Sequence, residues 1–307
     1  LALVLTTAAL SCVATNDMAL IMMLPLSAAT LMGANLPRLV APVFVLQSLA
    51  ANLCGMIVPF GNPQNLYLYS YYGLGLGDFL AAMALPFALS TAGIAACTWW
   101  LCGQSNGSCG RDDTRSLAAP MPLSRRRLAI YGALVALTLL AVFRIVPVAA
   151  AVAVVAAALA ALDRRALAAV DWGLLATFAC FFVFAGNMAR VPEVSAWLSP
   201  LMADHGLLVS AGLSQIISNV PAAVLLSHFT GAWQPLLVGV NIGGAGTLVG
   251  SLASLITLQH FTSVRKIFPR AAALPELSTG RFLALFSVLN FAFLAILLIA
   301  CGTASSF

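Results

Sequence analysis

The sequence predicts an all-α polytopic membrane protein, an inverted-topology repeat in which each half holds a re-entrant helical hairpin and a broken transmembrane helix. Composition is the first reason. Of 307 residues, 62% are hydrophobic and 7% charged, against about 25% charged in soluble domains, so too few polar side chains exist to cover a water-facing surface. The second is the succession of apolar runs, which at about 20 residues per span allows on the order of ten crossing or re-entrant segments. The third is a pair of polar, glycine-broken stretches in matching positions of the two halves, the pattern that points to the binding site of a secondary transporter.

The first half covers residues 1–102 and opens on a hairpin at 1–34. Its apolar arms flank the polar run SCVATND at 11–17; each is about 14 residues, too short for a full span. The chain therefore enters and leaves by one face, with the polar run at the tip. A broken helix follows at 39–72, where Asn52, Gly55, Pro59 and the run Gly61-Asn62-Pro63-Gln64-Asn65 forbid an uninterrupted helix. Such backbone is tolerated at membrane depth only when it is buried in protein or lines a cavity. A helix at 79–102 closes the half. Residues 103–126, with Arg111-Asp112-Asp113, read as a solvated cytoplasmic linker.

The second half, 127–307, begins with helices at 128–143, 145–162 and 172–189, the last entered through the interfacial pair Asp171-Trp172. A hairpin at 206–230 follows, with SQIISN and then Val220-Pro221 at its tip. The broken helix at 235–260 carries Asn241, Gly243, Gly244, Gly246, Gly250 and Ser251, and a last helix occupies 281–303. Overlaying the halves sets Leu5, Ala8, Leu10, Ser11, Asn16 and Ala19 on Leu208, Ala211, Leu213, Ser214, Asn219 and Ala222. It likewise sets Asn52, Gly55, Gly61 and Leu66 on Asn241, Gly244, Gly250 and Leu255.

Charge supplies the orientation. With these spans, one face receives Arg38, Arg111, Arg115, Arg125, Arg126, Arg127, Arg164, Arg165, Arg265, Lys266, Arg270 and Arg281, and the other only Arg144 and Arg190. The positive-inside rule makes the first face cytoplasmic. The first hairpin then enters from the cytoplasm and the second from outside, as inverted repeats require, in a multi-pass protein of a bacterial-type inner membrane with its C-terminus outside. Three helices precede the second hairpin and none the first, so about three further spans, on the order of 70 to 100 residues, are expected before Leu1. The net charge of +5 thus reports topology rather than a nucleic-acid partner. Seven cysteines form no CxxC or Cys/His pattern, which indicates neither a disulfide frame nor zinc.

Amide and hydroxyl oxygens, with carbonyls freed at a helix break, are hard ligands suited to a small cation. On that ground the candidate cation set for Na⁺ or H⁺ is Ser11, Asn16, Asp17, Asn52, Gly61, Ser214, Asn219, Asn241 and Gly250. Asp17 is the one acidic group near the midplane; it carries a proton, ligates sodium, or merely caps the half-helix that follows it. Half-helix N-termini after Asn16, Asn62, Asn219 and Gly250 present partial positive charge to an anion, and no Lys or Arg lies in these stretches. The candidate substrate set is accordingly Thr15, Asn16, Asp17, Asn62, Asn65, Ser218, Asn219, Thr247 and Ser251. For Asn52 and Asn241 a packing hydrogen bond inside the broken helix is an equal reading. Cys12 and Cys54 beside the site are small packing residues or soft ligands for trivalent arsenic, and His228 and His260 read as interfacial histidines.

Thr15-Asn16-Asp17, Gly61-Asn62-Pro63-Gln64-Asn65, Ser218-Asn219-Val220-Pro221 and Gly243-Gly244-Ala245-Gly246-Thr247 resemble the paired signatures of the ion transporter superfamily. That group holds arsenical pump membrane proteins, NhaD-type sodium/proton antiporters, citrate transporters and divalent-anion:sodium symporters, and the resemblance runs over essentially the whole chain. In the symporters each tip reads Ser-Asn-Thr, contributing to a sodium site and touching the substrate carboxylate. Here the tips are Thr-Asn-Asp and Ser-Asn-Val; both asparagines are kept and both third-position threonines lost, which is more similar to the arsenical pump and its anion-permease relatives. The resemblance implies a homodimer. It also implies a secondary transporter, not an enzyme, that moves an anion or oxyacid (arsenite or antimonite, a carboxylate or an inorganic anion) by alternating access coupled to Na⁺ or H⁺. No cofactor is expected beyond a bound sodium ion. A Na⁺/H⁺ antiporter is the alternative within this class. An intramembrane prenyltransferase, holding a metal-bound diphosphate on Asp112-Asp113, is the alternative outside it and lacks a second acidic cluster.

Overall fold

In the computed structural model the described residues are 1–103, 125–268 and 274–304. They form helices joined by short turns, and the chain divides into two compact units, Leu1–Gly110 with Phe181–Phe307 and Arg111–Cys180. Among the described residues four segments are long and apolar enough to cross a membrane, Asn16–Gly33, Pro37–Ile57, Leu76–Gly103 and Thr279–Thr303, and the pair Leu175–Met188 and Pro192–Ile217, bent by 97°, makes a fifth if counted as one span. The protein is an all-α polytopic membrane protein.

In the larger unit, α1 (Ala2–Ser11) and α2 (Asn16–Gly33) are antiparallel arms joined by residues 12–15. The chain turns there because Thr15 is extended and its Oγ1 accepts from Met18 N at 3.5 Å. Thr15 is therefore the cap of α2, and Asp17 sits inside the first turn, which corrects the capping role open to Asp17 from sequence. Helix α3 (Val40–Cys54) is apolar nearly all round and buried on all sides, as a helix at the centre of a bundle must be. It packs against α1, α2, α5 (Leu76–Gly103), α13 (Leu252–Ile267) and α14 (Thr279–Ala304). Phe44 on α3 meets Phe261 edge-on, and Phe261 stacks on Phe282 with centroids 4.1 Å apart. The chain breaks at 55–62 and resumes as α4 (Pro63–Tyr71), where Pro63 at the first helical position needs no N–H partner.

From sequence, residues 190–205 carry no helix and the second hairpin begins at 206. In the structure α10 (Pro192–Ile217) is already helical from Pro192 and bends at His205, whose φ of −136° leaves the helical range. Pro192 and Glu193 are good helix-start residues. Glu193, Pro200 and Asp204 broke the apolar run that the sequence boundary follows. The hairpin's return arm α11 (Asn219–Leu226) is short, and α12 (Trp233–Ile242) crosses α10 closely. A Cβ on Gly239 would lie 2.6 Å from Ser210 Cβ, and one on Gly243 would lie 2.9 Å from Ala211 Cα. Small residues at a helix crossing are what membrane packing favours. Past the break at 243–251, α13 starts with Ser251 Oγ accepting from Ser254 N.

The smaller unit holds α6 (Arg125–Val142), α7 (Val148–Leu162) and α8 (Arg164–Ala168), with the first part of α9 (Trp172–Met188). Asp163 joins α7 to α8: its Oδ1 accepts from Ala166 N at 3.1 Å, and its Oδ2 accepts from the Tyr131 hydroxyl. Almost all of the linker read at 103–126, including Arg111-Asp112-Asp113, lies outside the described residues.

Candidate functional site

Two helix breaks and the first hairpin tip are joined by buried amides. Asn16, at the start of α2, donates from Nδ2 to Asn52 Oδ1 at 3.1 Å, and its backbone N–H binds Gly61 O at 3.0 Å. Asn52, near the end of α3, reaches the other half of the chain: its Nδ2 lies 2.6 Å from Ser251 Oγ and 3.2 Å from Gly244 O. Asn62, in the first break, donates to Asn52 O at 3.2 Å and to Asn241 Oδ1 at 3.3 Å. Asn241 receives a second bond from Gln64 Nε2 at 3.2 Å and donates to Asn65 Oδ1 and Leu237 O. Asn65 in turn donates to Met56 O at 3.1 Å. Asn219, at the start of α11, is 97% buried, and its Nδ2 would lie 3.1 Å from a Cβ on Gly244. A side chain there would strike it, so glycine lets the second tip and second break meet.

Of the candidate residues, this network gathers Asn16, Asn52, Gly61, Asn62, Asn65, Asn241 and Ser251, with Asn219 against it. Asp17 is adjacent; its backbone N–H binds Asn16 Oδ1 at 2.9 Å, and its own Oδ1 is buried without a hydrogen-bond partner. The rest serve the scaffold. Ser11 Oγ bonds back to Ala8 O, 2.8 Å away, with Ala50 O on α3 at 3.5 Å. Ser214 Oγ turns to Ser210 O in its own helix. Thr15 is the α2 cap, and Thr247 Oγ1 is held by Gln215 O at 2.9 Å. Gly250 N is bound by Thr247. Ser218 Oγ makes a long contact of 3.5 Å with Asn219 Oδ1.

Ser218 also has φ 76° and ψ 155°, a region nearly reserved for glycine that costs about 1–3 kcal/mol. Such strain persists only when the surroundings impose it.

Three glutamines went unassigned from sequence. Gln64 is buried, with Nε2 on Asn241 and Oε1 unpartnered, and Asn62 Oδ1 beside it in the chain is unpartnered too. Gln215 binds the second break. Gln47 is buried between the arms of the first hairpin, donating to Thr7 Oγ1 at 2.8 Å and Ser27 Oγ at 2.9 Å. An amide inside an apolar span was the available signal, because a buried polar group there must have a partner or a purpose.

The arrangement offers oxygen ligands and N–H donors without a basic side chain, and among the described residues no three His, Cys, Asp or Glu side chains gather. Cys12 and Cys54 do adjoin, with Cys12 Sγ 3.4 Å from Cys54 O.

The sequence matches the citrate transporter family over residues 1–238. It is 32% identical to the inner membrane protein YbiR of Escherichia coli, covering 84% of this chain and 68% of that one. It is also 32% identical to a protein of Methanocaldococcus jannaschii named an uncharacterized transporter, covering 84% and 70%. A Mycobacterium tuberculosis protein with the same designation is 27% identical, covering 72% of this chain and 59% of its own.

Proposed function

Because the chain belongs to the citrate transporter family, and is therefore a membrane transporter, we propose that it moves a small anion or neutral oxyacid across the inner membrane by alternating access, coupled to Na⁺ or H⁺. The observation that carries this reading is the buried amide network across both helix breaks. Polar backbone at membrane depth is tolerated only when it is buried in protein or lines a cavity, and polar side chains there tend to mark substrate and ion pathways. Around this network start α2, α4, α11 and α13, at Asn16, Pro63, Asn219 and Leu252. The positive ends of these helices suit an anion, and the side-chain oxygens suit a co-bound cation. The substrate set is Asn16, Asp17, Asn62, Asn65, Asn219 and Ser251, with Thr15, Ser218 and Thr247 shaping the tips and the second break. An inverted repeat is supported by paired bonds: Asn52 to Ser251 and Asn62 to Asn241 are equivalents when the halves are overlaid.

The test is flux into sealed liposomes of labelled arsenite, citrate, succinate and sulfate, with and without sodium or proton gradients, beside Asn16→Ala and Asn219→Ala. Gradient-driven flux of one solute that both substitutions abolish is the expected result. The orphaned Asp17 Oδ1 favours a second reading, a Na⁺/H⁺ antiporter in which that carboxyl exchanges the two ions. Under it no solute moves, and added sodium collapses a proton gradient.

A further inference from the structure

We propose that in the second half of the molecule the side-chain amide of Gln215 occupies the place that a coupling cation takes in the first, so that one coupling cation is bound, in the first half only. The inference rests on the reading of two paired halves with cation coupling. When Ser11 and Asn16 overlie Ser214 and Asn219, Cys12 falls on Gln215; when Asn52 overlies Asn241, Cys54 falls on Gly243 and Met56 on Ala245. The two positions make the same kind of contact with different strength.

Gln215 Nε2 lies 2.7 Å from Gly243 O, 3.1 Å from Ala245 O and 3.1 Å from Ala211 O. Three carbonyl oxygens, two of them freed by the break, converge on one electropositive nitrogen. Its partner atom is equally fixed, since Thr247 N donates to Gln215 Oε1 at 2.8 Å. Reversing the amide would set an oxygen against three carbonyls and an NH₂ against an N–H, so the orientation follows from the partners. The break is shaped to this side chain. Gly246 has φ +121°, and a Cβ there would lie 2.2 Å from Gln215 Oε1.

In the first half, Cys12 has one hydrogen for the equivalent carbonyls, Ala8 O at 3.3 Å and Cys54 O at 3.4 Å, and a thiol is a weak donor. Nearby acceptors are left over: Asp17 Oδ1 and Asn62 Oδ1 are buried without partners, and Asn62 Oδ1 and Ser11 O lie 3.3 and 3.2 Å from where Gly55 lacks a Cβ. Unmet acceptors in low dielectric call for positive charge. The second break has that need met permanently by an NH₂ group.

Gln215→Glu keeps the shape and removes both donor hydrogens, leaving a carboxylate facing carbonyls that only a cation or a proton reconciles. The purified full chain is titrated with NaCl against choline chloride, and separately with pH, following the unfolding temperature. The wild type is expected to respond as a single site, with a Hill coefficient of about 1. Gln215→Glu should gain a second saturable response, and Asn16→Ala should remove the wild-type response while leaving the one that Gln215→Glu adds. If Gln215→Glu does not fold, Gln215→Ala, which bares the same carbonyls, should show the gain. Identical titrations of wild type and variant, or two saturable sites in the wild type, would overturn the proposal. Absence of gradient-driven flux in wild-type liposomes, with the Gln215→Glu gain still present, would instead remove the transport reading and leave the role of Gln215 standing.

Discussion

Asn241 is saturated: its Oδ1 accepts from Asn62 and Gln64, and its Nδ2 donates to Asn65 and Leu237. A cation could use it only by displacing one of these bonds, so its place in the network is structural first. Asn241→Ala removes four hydrogen bonds, with Asn62, Gln64, Asn65 and Leu237, each buried partner left unsatisfied costing about 1–3 kcal/mol, whereas Asn16→Ala removes two, with Asn52 and the Asp17 N–H. Thermal unfolding in detergent should show the larger loss for Asn241→Ala, and flux the larger loss for Asn16→Ala relative to stability. At the second tip, Ser218→Gly should raise the unfolding temperature, since glycine adopts φ 76° without strain; a lower temperature would mean that the Ser218 hydroxyl matters more than its backbone. The asparagines were legible in the sequence because they cluster with glycine and proline in otherwise apolar runs. Gln47 was not, because a lone amide has no spacing that tells which face it occupies; Gln64 and Gln215 lay within the polar runs at 61–65 and 214–219 and were passed over for the asparagines beside them.

The two helix breaks fall where glycine clusters, joined by proline in the first, at 55–63 and 243–250, and that is why they were legible while the start of α10 was not. The first break needs Gly61: a Cβ there would lie 2.0 Å from Gly55 O, a backbone atom that cannot move aside. Gly61→Ala should therefore cost more than the roughly 1–3 kcal/mol of ordinary overpacking and abolish accumulation of folded protein in the membrane. Gly212, in α10, meets nothing within 4 Å, and Gly212→Ala should stabilise by up to about 1 kcal/mol through helix propensity. Gly61→Ala is read by the yield of folded protein in the membrane and Gly212→Ala by unfolding temperature, and an undiminished yield of Gly61→Ala would mean that the close approach at 55–61 is not a constraint. Apolar length and polar interruption locate the apolar helices and the helix breaks. They fail at 192–204, where charged residues and proline lie on a helix whose existence depends on packing and end signals rather than on an apolar run.

The whole molecule's orientation is expected to follow from where its few charges fall. Arg144 and Arg190 stand alone against the cationic residues assigned to the opposite face, and near a bilayer each displaced basic residue weighs on topology far more than an acidic one. Reversing the chain would carry Arg125, Arg126, Arg127, Arg164 and Arg165 across together. In a cysteine-free background, Ser108→Cys, Glu193→Cys and Ser306→Cys mark the linker, the first turn of α10 and the C-terminus. A membrane-impermeant maleimide applied to intact cells should label Glu193→Cys and Ser306→Cys, and should reach Ser108→Cys only after permeabilisation. Labelling of Ser108→Cys in intact cells would invert the protein, and with it the side from which the first hairpin, and hence Asp17, is reached. Unequal labelling at 193 and 306 would instead show that the hairpin, the broken helix and the last helix between them do not together return the chain to the same face, a geometric condition the inverted repeat cannot do without.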